Sequence, residues 1–166
     1  MKILPSRAEG DIGPIIETYK STVYAIALTR TGNRHDAEDI FQEVFLAYCR
    51  KQPSFNGEEH RKAWLIKTTV NCSKKLLSRG RSGTVPLEEA SGVPYEFQFE
   101  EDTSLYAALC GLPEKYRTAM HLFYFEDLSA EEIGKTLNIR PGTVRMRLTR
   151  GRELLREKLK GEYYNE

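Results

Sequence analysis

Residues 79–102, RGRSGTVPLEEASGVPYEFQFEED, interrupt the helical periodicity that runs through the rest of the chain. Glycine, proline, serine and acids replace spaced apolar residues there, and the stretch is too long for a connection inside a compact domain. In a chain of 166 residues this predicts two units, each near the lower limit for a core of its own. The expected boundaries are 8–81 for the first unit, 82–103 for a flexible acidic linker and 104–161 for the second. Strand-like alternation is absent on both sides, so the fold class expected is all-α, two small helical domains.

In the first unit, Ile12, Ile15, Ile16, Tyr19, Val23, Ile26 and Ala27 recur at helical spacing, with Pro14 tolerated in a first turn and Gly32 closing the far end. A second helix follows in DAEDIFQEVFLAYCRK, with Ala37, Ile40, Phe41, Val44, Phe45 and Tyr48 as its buried stripe and Asp36 as the expected cap. After the breaker QPSFNG, a third helix is expected from about Glu59 to Leu77, carrying Trp64, Leu65, Val70, Cys72 and Leu76 among basic residues. In the second unit Pro113 suits a first turn, and Tyr116, Met120 and Phe123 form the expected buried stripe. Ser129 and Glu132 then have the spacing of a capping box.

The net charge of +1 conceals segregation. Residues 60–87 hold seven Lys or Arg and no acid, residues 82–114 hold seven acids and no base, and residues 140–160 hold eight bases against two acids. Two basic patches flanking an acidic stretch favour nucleic-acid contact at two places. No apolar run approaches the roughly 20 residues that span a bilayer, and MKILPSRAEGD lacks the apolar core of a secretory signal, which places the chain in the cytosol. The spacing of Cys49, Cys72 and Cys110 matches no zinc pattern, and His35, His60 and His121 do not complete one, so neither metal nor other cofactor is expected. P-loop, zinc-protease, nucleophile-elbow and dinucleotide motifs are missing, which disfavours an enzyme and a small-molecule substrate.

NIRPGTVRMRLTRGRELLRE, residues 138–157, has the strongest functional pattern. On a helix at 100° per residue Val144, Leu148, Gly151 and Leu155 share one narrow buried stripe, while Arg145, Arg147, Arg152 and Arg156 flank it and Met146, Thr149, Arg150 and Glu153 point away. Upstream, Gly134, Asn138 and Val144 have the spacing of a helix-turn-helix: a small residue at the crossing, a left-handed turn residue and an early anchor in the second helix. Such a motif presents Thr143 to Arg150 to base edges in the major groove; a basic surface helix that touches nothing is the competing reading.

In the first unit Asp39, Gln42, Glu43 and Leu46 form an i, i+3, i+4, i+7 stripe that would repel DNA and suits either solvent or a basic partner helix. The third helix, with Phe55 and Trp64 nearby and a short glycine-containing loop, can hold phosphates and an unstacked base, or Trp64 is core and the lysines are solvated.

DAEDIFQEVFLAY, FNGEEHRKAWLIKTTVN and LPEKYRTAMHLFYFEDLSAEEIGKTLNIRPGTVRMRLTRGRELLREKL, in this order and separation, closely resemble the sigma-70 superfamily and specifically its extracytoplasmic-function (ECF) sigma factors. The resemblance covers residues 10–80 and 105–160 and implies a dissociable subunit of bacterial RNA polymerase, with units similar to sigma regions 2 and 4. It implies docking on the polymerase clamp through Asp39, Gln42, Glu43 and Leu46. It further implies a loop that captures a flipped base of the minus-10 element, formed by Phe55, Asn56, Gly57, Glu58, His60 and Arg61, with Thr68, Asn71 and Lys75 at neighbouring DNA-facing positions. Thr143, Arg145, Met146, Thr149 and Arg150 match minus-35 recognition positions, with Arg147 and Arg152 placed for phosphates, and an anti-sigma factor, often membrane-bound in the family, is the implied regulator. An operator-binding dimeric regulator and a protein-only adaptor are the alternatives; only the first of these predicts tight duplex binding by the isolated chain.

Overall fold

The computed structural model describes residues 12–79 and 103–164, and all regular elements among them are helices. They are α1 (Ile12–Thr31), α2 (Arg34–Lys51), α3 (Glu58–Ser78), α4 (Thr103–Cys110), α5 (Glu114–Tyr124), α6 (Ala130–Leu137) and α7 (Pro141–Tyr164). The segment expected to be a linker lies outside the described residues, except that Thr103 already opens α4.

Local chemistry sets most boundaries. Gly32 ends α1 at φ 70°, donating its N–H to the Leu28 carbonyl at 2.7 Å, a conformation that costs glycine nothing. The α2 cap is a correction. Asn33, rather than Asp36, occupies the extended N-cap position and accepts from the Asp36 N–H at 3.0 Å, while its own amide donates to Asp36 Oδ2 at 2.7 Å. Asp36 is buried in the first turn, so the acid still faces the positive helix end, but the helix starts earlier than expected. Pro113 is likewise the N-cap of α5 and not a first-turn residue.

Helices α1, α2 and α3 pack around Val23, Ala27, Leu28, Ala37, Ile40, Val44, Phe45 and Leu65. Helices α4 to α7 surround a second core of Leu109, Leu112, Ala119, Met120, Leu122, Ile133, Leu137, Val144 and Leu148. Tyr116 and Phe123, expected to be buried, are only half-buried at its margin, whereas Thr118, Ala119, His121 and Leu122 are sealed.

That shift has a cause in the other unit: α5 lies across α1, and Ile26, Ile66 and Val70 of the first unit belong to the second core. Each is at most 1% exposed, and burying such a side chain contributes on the order of 1.5–3 kcal/mol. Covered by α2 and α3 on one side and α5 on the other, α1 is buried all round from Val23 to Thr31, so its polar C-terminal turn must be satisfied internally. Arg30 donates to Ser73 Oγ at 2.6 Å, to Thr118 Oγ at 3.3 Å and to the Glu114 carboxylate. Arg117 of α5 reaches back to the carbonyls of Thr29 and Arg30, and Lys74 of α3 donates to the Leu137 carbonyl at 3.3 Å. Thr29 Oγ and His121 Nδ1 share a hydrogen bond of 3.1 Å, and Lys62 lies 3.5 Å from the buried Glu126.

Candidate nucleic-acid interface

The helix-turn-helix follows from three small stretches of backbone. Ser129 caps α6, accepting from the Glu132 N–H at 3.1 Å while Glu132 Oε2 accepts from the Ser129 N–H at 2.8 Å. Asn138 ends α6 in the left-handed conformation, φ 58° and ψ 48°. Gly134 is required by the return of the chain: a Cβ there would lie 2.7 Å from the Ile139 carbonyl oxygen, which is backbone and cannot swing aside. α7 then seats Val144 and Leu148 in the core and passes α5 at Gly151, where an added Cβ would meet Met120 Cγ at 2.9 Å.

With that stripe sealed, Arg145, Met146, Thr149 and Arg150 are exposed, Met146 to 65%. Arg145 is tethered at 2.6 Å to Glu131 of α6, and Arg150 at 3.1 Å to Glu153, both exposed pairs that water and salt weaken. Thr149 donates to the Arg145 carbonyl, and Thr143 and Arg147 are half-buried. Arg152 differs from the others. Its Nε donates to Tyr124 Oη at 2.6 Å and its guanidinium stacks on Phe123 and Tyr124, which holds it against α5.

The basic α3 has three faces. Leu65, Thr69 and Ser73 turn into the first core; Lys62, Ile66, Val70 and Lys74 meet the second unit; Thr68, Asn71 and Lys75 lie roughly opposite, where Asn71 and Lys75 are exposed. At its N-terminus Gly57 takes φ 136°, a value that disfavours any side chain, and turns the preceding loop sharply. Phe55 is half-buried between Tyr48, nearly parallel at 6.1 Å, and the Arg61 guanidinium, 5.3 Å from the ring centre. His60 meets Phe55 edge-on at 5.2 Å, and Trp64 packs on both Tyr48 and Phe55 as a wall of the cluster. The Asn56 N–H donates to His60 Nδ1 at 3.1 Å, which puts the proton of the neutral ring on Nε2 and makes the exposed His60 a donor. Glu58 is engaged by Arg61 and by Tyr19 of α1.

On α2, Gln42, Glu43 and Leu46 are exposed and Asp39 is half-exposed in one stripe, Leu46 to 53%. His35 lies 3.7 Å from Asp39 and Arg50 3.4 Å from Glu43, so the acids are only loosely balanced.

Comparison with known proteins accords with this arrangement. Residues 15–82 match the family described as Sigma-70 region 2, and residues 102–155 match Sigma-70, region 4. The chain is 32% identical over 163 residues to the ECF RNA polymerase sigma factor SigW of Bacillus subtilis, covering 88% of this chain and 87% of that one. It is an ECF sigma factor of the sigma-70 family. ECF sigma factor SigE of Mycolicibacterium smegmatis is 36% identical over 87% of this sigma factor and 60% of its own length. The fold also matches that of the sigma factor RpoE solved with the anti-sigma factor NepR from Bartonella quintana, with a TM-score of 0.68, 24% identity, and coverage of 90% and 97% of the two chains.

Sigma factors are non-catalytic subunits of RNA polymerase that bind promoter DNA, and this ECF sigma factor serves transcription initiation. None of its described helices is long and apolar enough to cross a membrane. Two groups, one beside the Phe55 cluster and one at the seam between the units, escaped sequence reasoning. The Tyr19 hydroxyl is invisible because periodicity assigns the ring to the core, and it is 7% exposed. Arg30 has the composition of a solvated helix end, and its burial depends on a helix 84 residues away.

Proposed function

We propose that this sigma factor docks on core RNA polymerase through Asp39, Gln42, Glu43 and Leu46, captures a minus-10 base with Phe55 to Arg61 and the α3 face of Thr68, Asn71 and Lys75, and reads the minus-35 element with α7. The observation that carries this reading is the division of α3. Its Lys62–Ile66–Val70–Lys74 face is occupied by the second unit, while Asn71 and Lys75 are left in water on the other side of the helix whose N-terminus carries the aromatic cluster. A cationic face next to aromatics suits single-stranded DNA, since phosphates find charge and an unstacked base finds apolar contact. Holding one base out of the stack costs a few kcal/mol, supplied by binding, and bond-making stays with the polymerase.

On α7, Arg145 and Arg150 are the candidates for guanine edges, Thr143, Met146 and Thr149 for adjoining base contacts and Arg147 for phosphate. Arg152, braced on Tyr124, presents one fixed charge at the border of that face. Residues 8–81 form the polymerase- and minus-10-binding unit in this reading, and 104–161 the minus-35 unit. The protein acts in the cytoplasm with the polymerase, under an anti-sigma factor that occludes its docking or DNA surfaces. The fold match to a sigma factor solved with an anti-sigma factor supports that partner class.

Run-off transcription by purified core polymerase on fragmented genomic DNA, with and without this protein, tests the reading. New start sites sharing two spaced upstream elements are the expected outcome. Absence of new starts, with a known sigma factor working in parallel, would overturn it.

A further inference from the structure

The segment from Phe55 to Arg61, a short loop and the first turn of α3, is held locally, mainly by the ring contacts of Phe55 with Tyr48 and Trp64. Gly57 contributes no side chain, and Asn56, Glu58 and His60 are exposed. A loop that must present a rim to an unstacked base loses affinity for every conformation it can otherwise visit, so preorganisation has to come from elsewhere. One long-range tether supplies it. Tyr19, 39 residues earlier on α1, has its ring in the first core and its hydroxyl at the surface edge, donating to Glu58 Oε2 at 2.5 Å. The other carboxylate oxygen, Oε1, accepts from Arg61 Nη1, and the Arg61 guanidinium covers the face of Phe55.

The four groups form a strut. The core fixes the Tyr19 ring, Tyr19 aims the Glu58 carboxylate, the carboxylate aims Arg61, and Arg61 together with Tyr48 fixes the plane of Phe55. Burial and the bond to Glu58 push the Tyr19 hydroxyl up to about 12, so it remains a donor through the physiological range. The same bonds from Tyr19 and Arg61 hold the Glu58 carboxyl below its ordinary value, so it remains the charged acceptor. An acid in a DNA-facing loop would otherwise repel phosphate; spent on Tyr19 and Arg61, it becomes an internal fastening.

We propose that Tyr19 is a positioning residue for promoter opening, acting through Glu58 to hold Arg61 and Phe55 in the geometry that receives the flipped base. The inference rests on the reading of Phe55 to Arg61 as the capture loop. Tyr19→Phe keeps the ring in the core and removes the hydroxyl alone.

Full-length variants assembled with core polymerase would be assayed on a promoter mapped by run-off transcription, by permanganate reactivity for strand opening and by co-purification for assembly. Tyr19→Phe is expected to slow opening about 5- to 10-fold, the scale of one ordinary intramolecular hydrogen bond, with assembly and melting temperature unchanged. In an Arg61→Gln background the same change is expected to cost nothing further, because the strut is already cut; a merely structural role would give additive losses. Should Tyr19→Phe lower the melting temperature, Glu58→Gln cuts the strut from its exposed end and is expected to slow opening likewise. Wild-type opening by Tyr19→Phe and Glu58→Gln, while Arg61→Gln and Asn71→Ala are impaired, would overturn the strut and leave the capture loop standing. Wild-type opening by all four would overturn the capture loop, and the strut with it.

Discussion

The seam between the two helical units and the outward face of α7 are built from the same residue types, and they treat charge in opposite ways. At the seam, Arg30 is 5% exposed and Glu126 7%, and their partners are spread over α3 and α5. On α7, Arg145 and Arg150 are 61% and 51% exposed at the side chain, each paired once with an acid that is equally exposed. Charges taken out of water must be satisfied by protein, so the seam specifies one arrangement of the two units. Charges left in water can exchange a weak carboxylate partner for a phosphate or a guanine edge, so the α7 face is available for recognition. Burial, rather than residue type, separates the arginine that holds the fold from the arginines left at the surface here.

Replacing Arg30 by Met is the most severe way to break the contrast. It leaves Ser73 and Thr118 buried without their guanidinium partner, and an expected loss of about 2–4 kcal/mol should appear in urea unfolding. An unchanged midpoint would mean that the two units separate freely in solution.

His121 offers a pH-dependent version of the same test. Burial alone pushes its imidazole down to about 4 from the ordinary 6.5, and its Nε2 is 3.8 Å from Glu126 Oε1, beyond hydrogen-bonding distance. With the folded value below the unfolded one, the full contribution is present above pH 6.5 and is lost as pH falls toward 4, because only the unfolded chain takes the proton. The expected decline is about 1.4 kcal/mol per pH unit across that window, or roughly 2 kcal/mol from pH 7 to pH 5. Burial raises the Glu126 carboxyl, so that group's contribution runs the other way, stabilising at acid pH and fading as pH rises. The His121 effect should therefore be read as the difference between wild type and His121→Gln at each pH.

On the α7 side Arg150→Ala is expected to leave unfolding within about 0.5 kcal/mol of wild type. Output from promoters bearing a matched minus-35 element should fall by the equivalent of about 1–3 kcal/mol, with less discrimination against a substituted base. Gln42→Ala, on the exposed α2 stripe, should also spare stability and weaken co-purification with core polymerase; undiminished assembly would remove that docking site. The smallest effect belongs to Glu131→Gln. Releasing the exposed Arg145 should change stability by no more than a few tenths of a kcal/mol while strengthening promoter binding slightly, most visibly at low salt.

What was legible in the sequence divides along the same line. Six of the seven helices, the Ser129–Glu132 capping box, the left-handed Asn138 and the Val144–Leu148–Gly151 stripe were readable, because each follows from residues within two turns of one another, whereas the eight-residue α4 is too short to show a period of its own. The α2 stripe and the α7 arginines stand exposed where helical spacing placed them. The α2 cap was misread because Asn33 and Asp36 both qualify chemically, and only the backbone shows which one is extended.

The sequence by itself determined two helical units and the faces by which each can build a core, since periodicity, caps and turn residues act within a few residues. Only the tertiary structure decided that the C-terminal half of α1 is enclosed on every side, that Arg30 and His121 are interior groups, and that Tyr19 reaches the first turn of α3. Those contacts join residues 39 to 92 positions apart. A buried polar side chain carries no periodic signal of its own, and its role depends on which distant helix arrives to satisfy it.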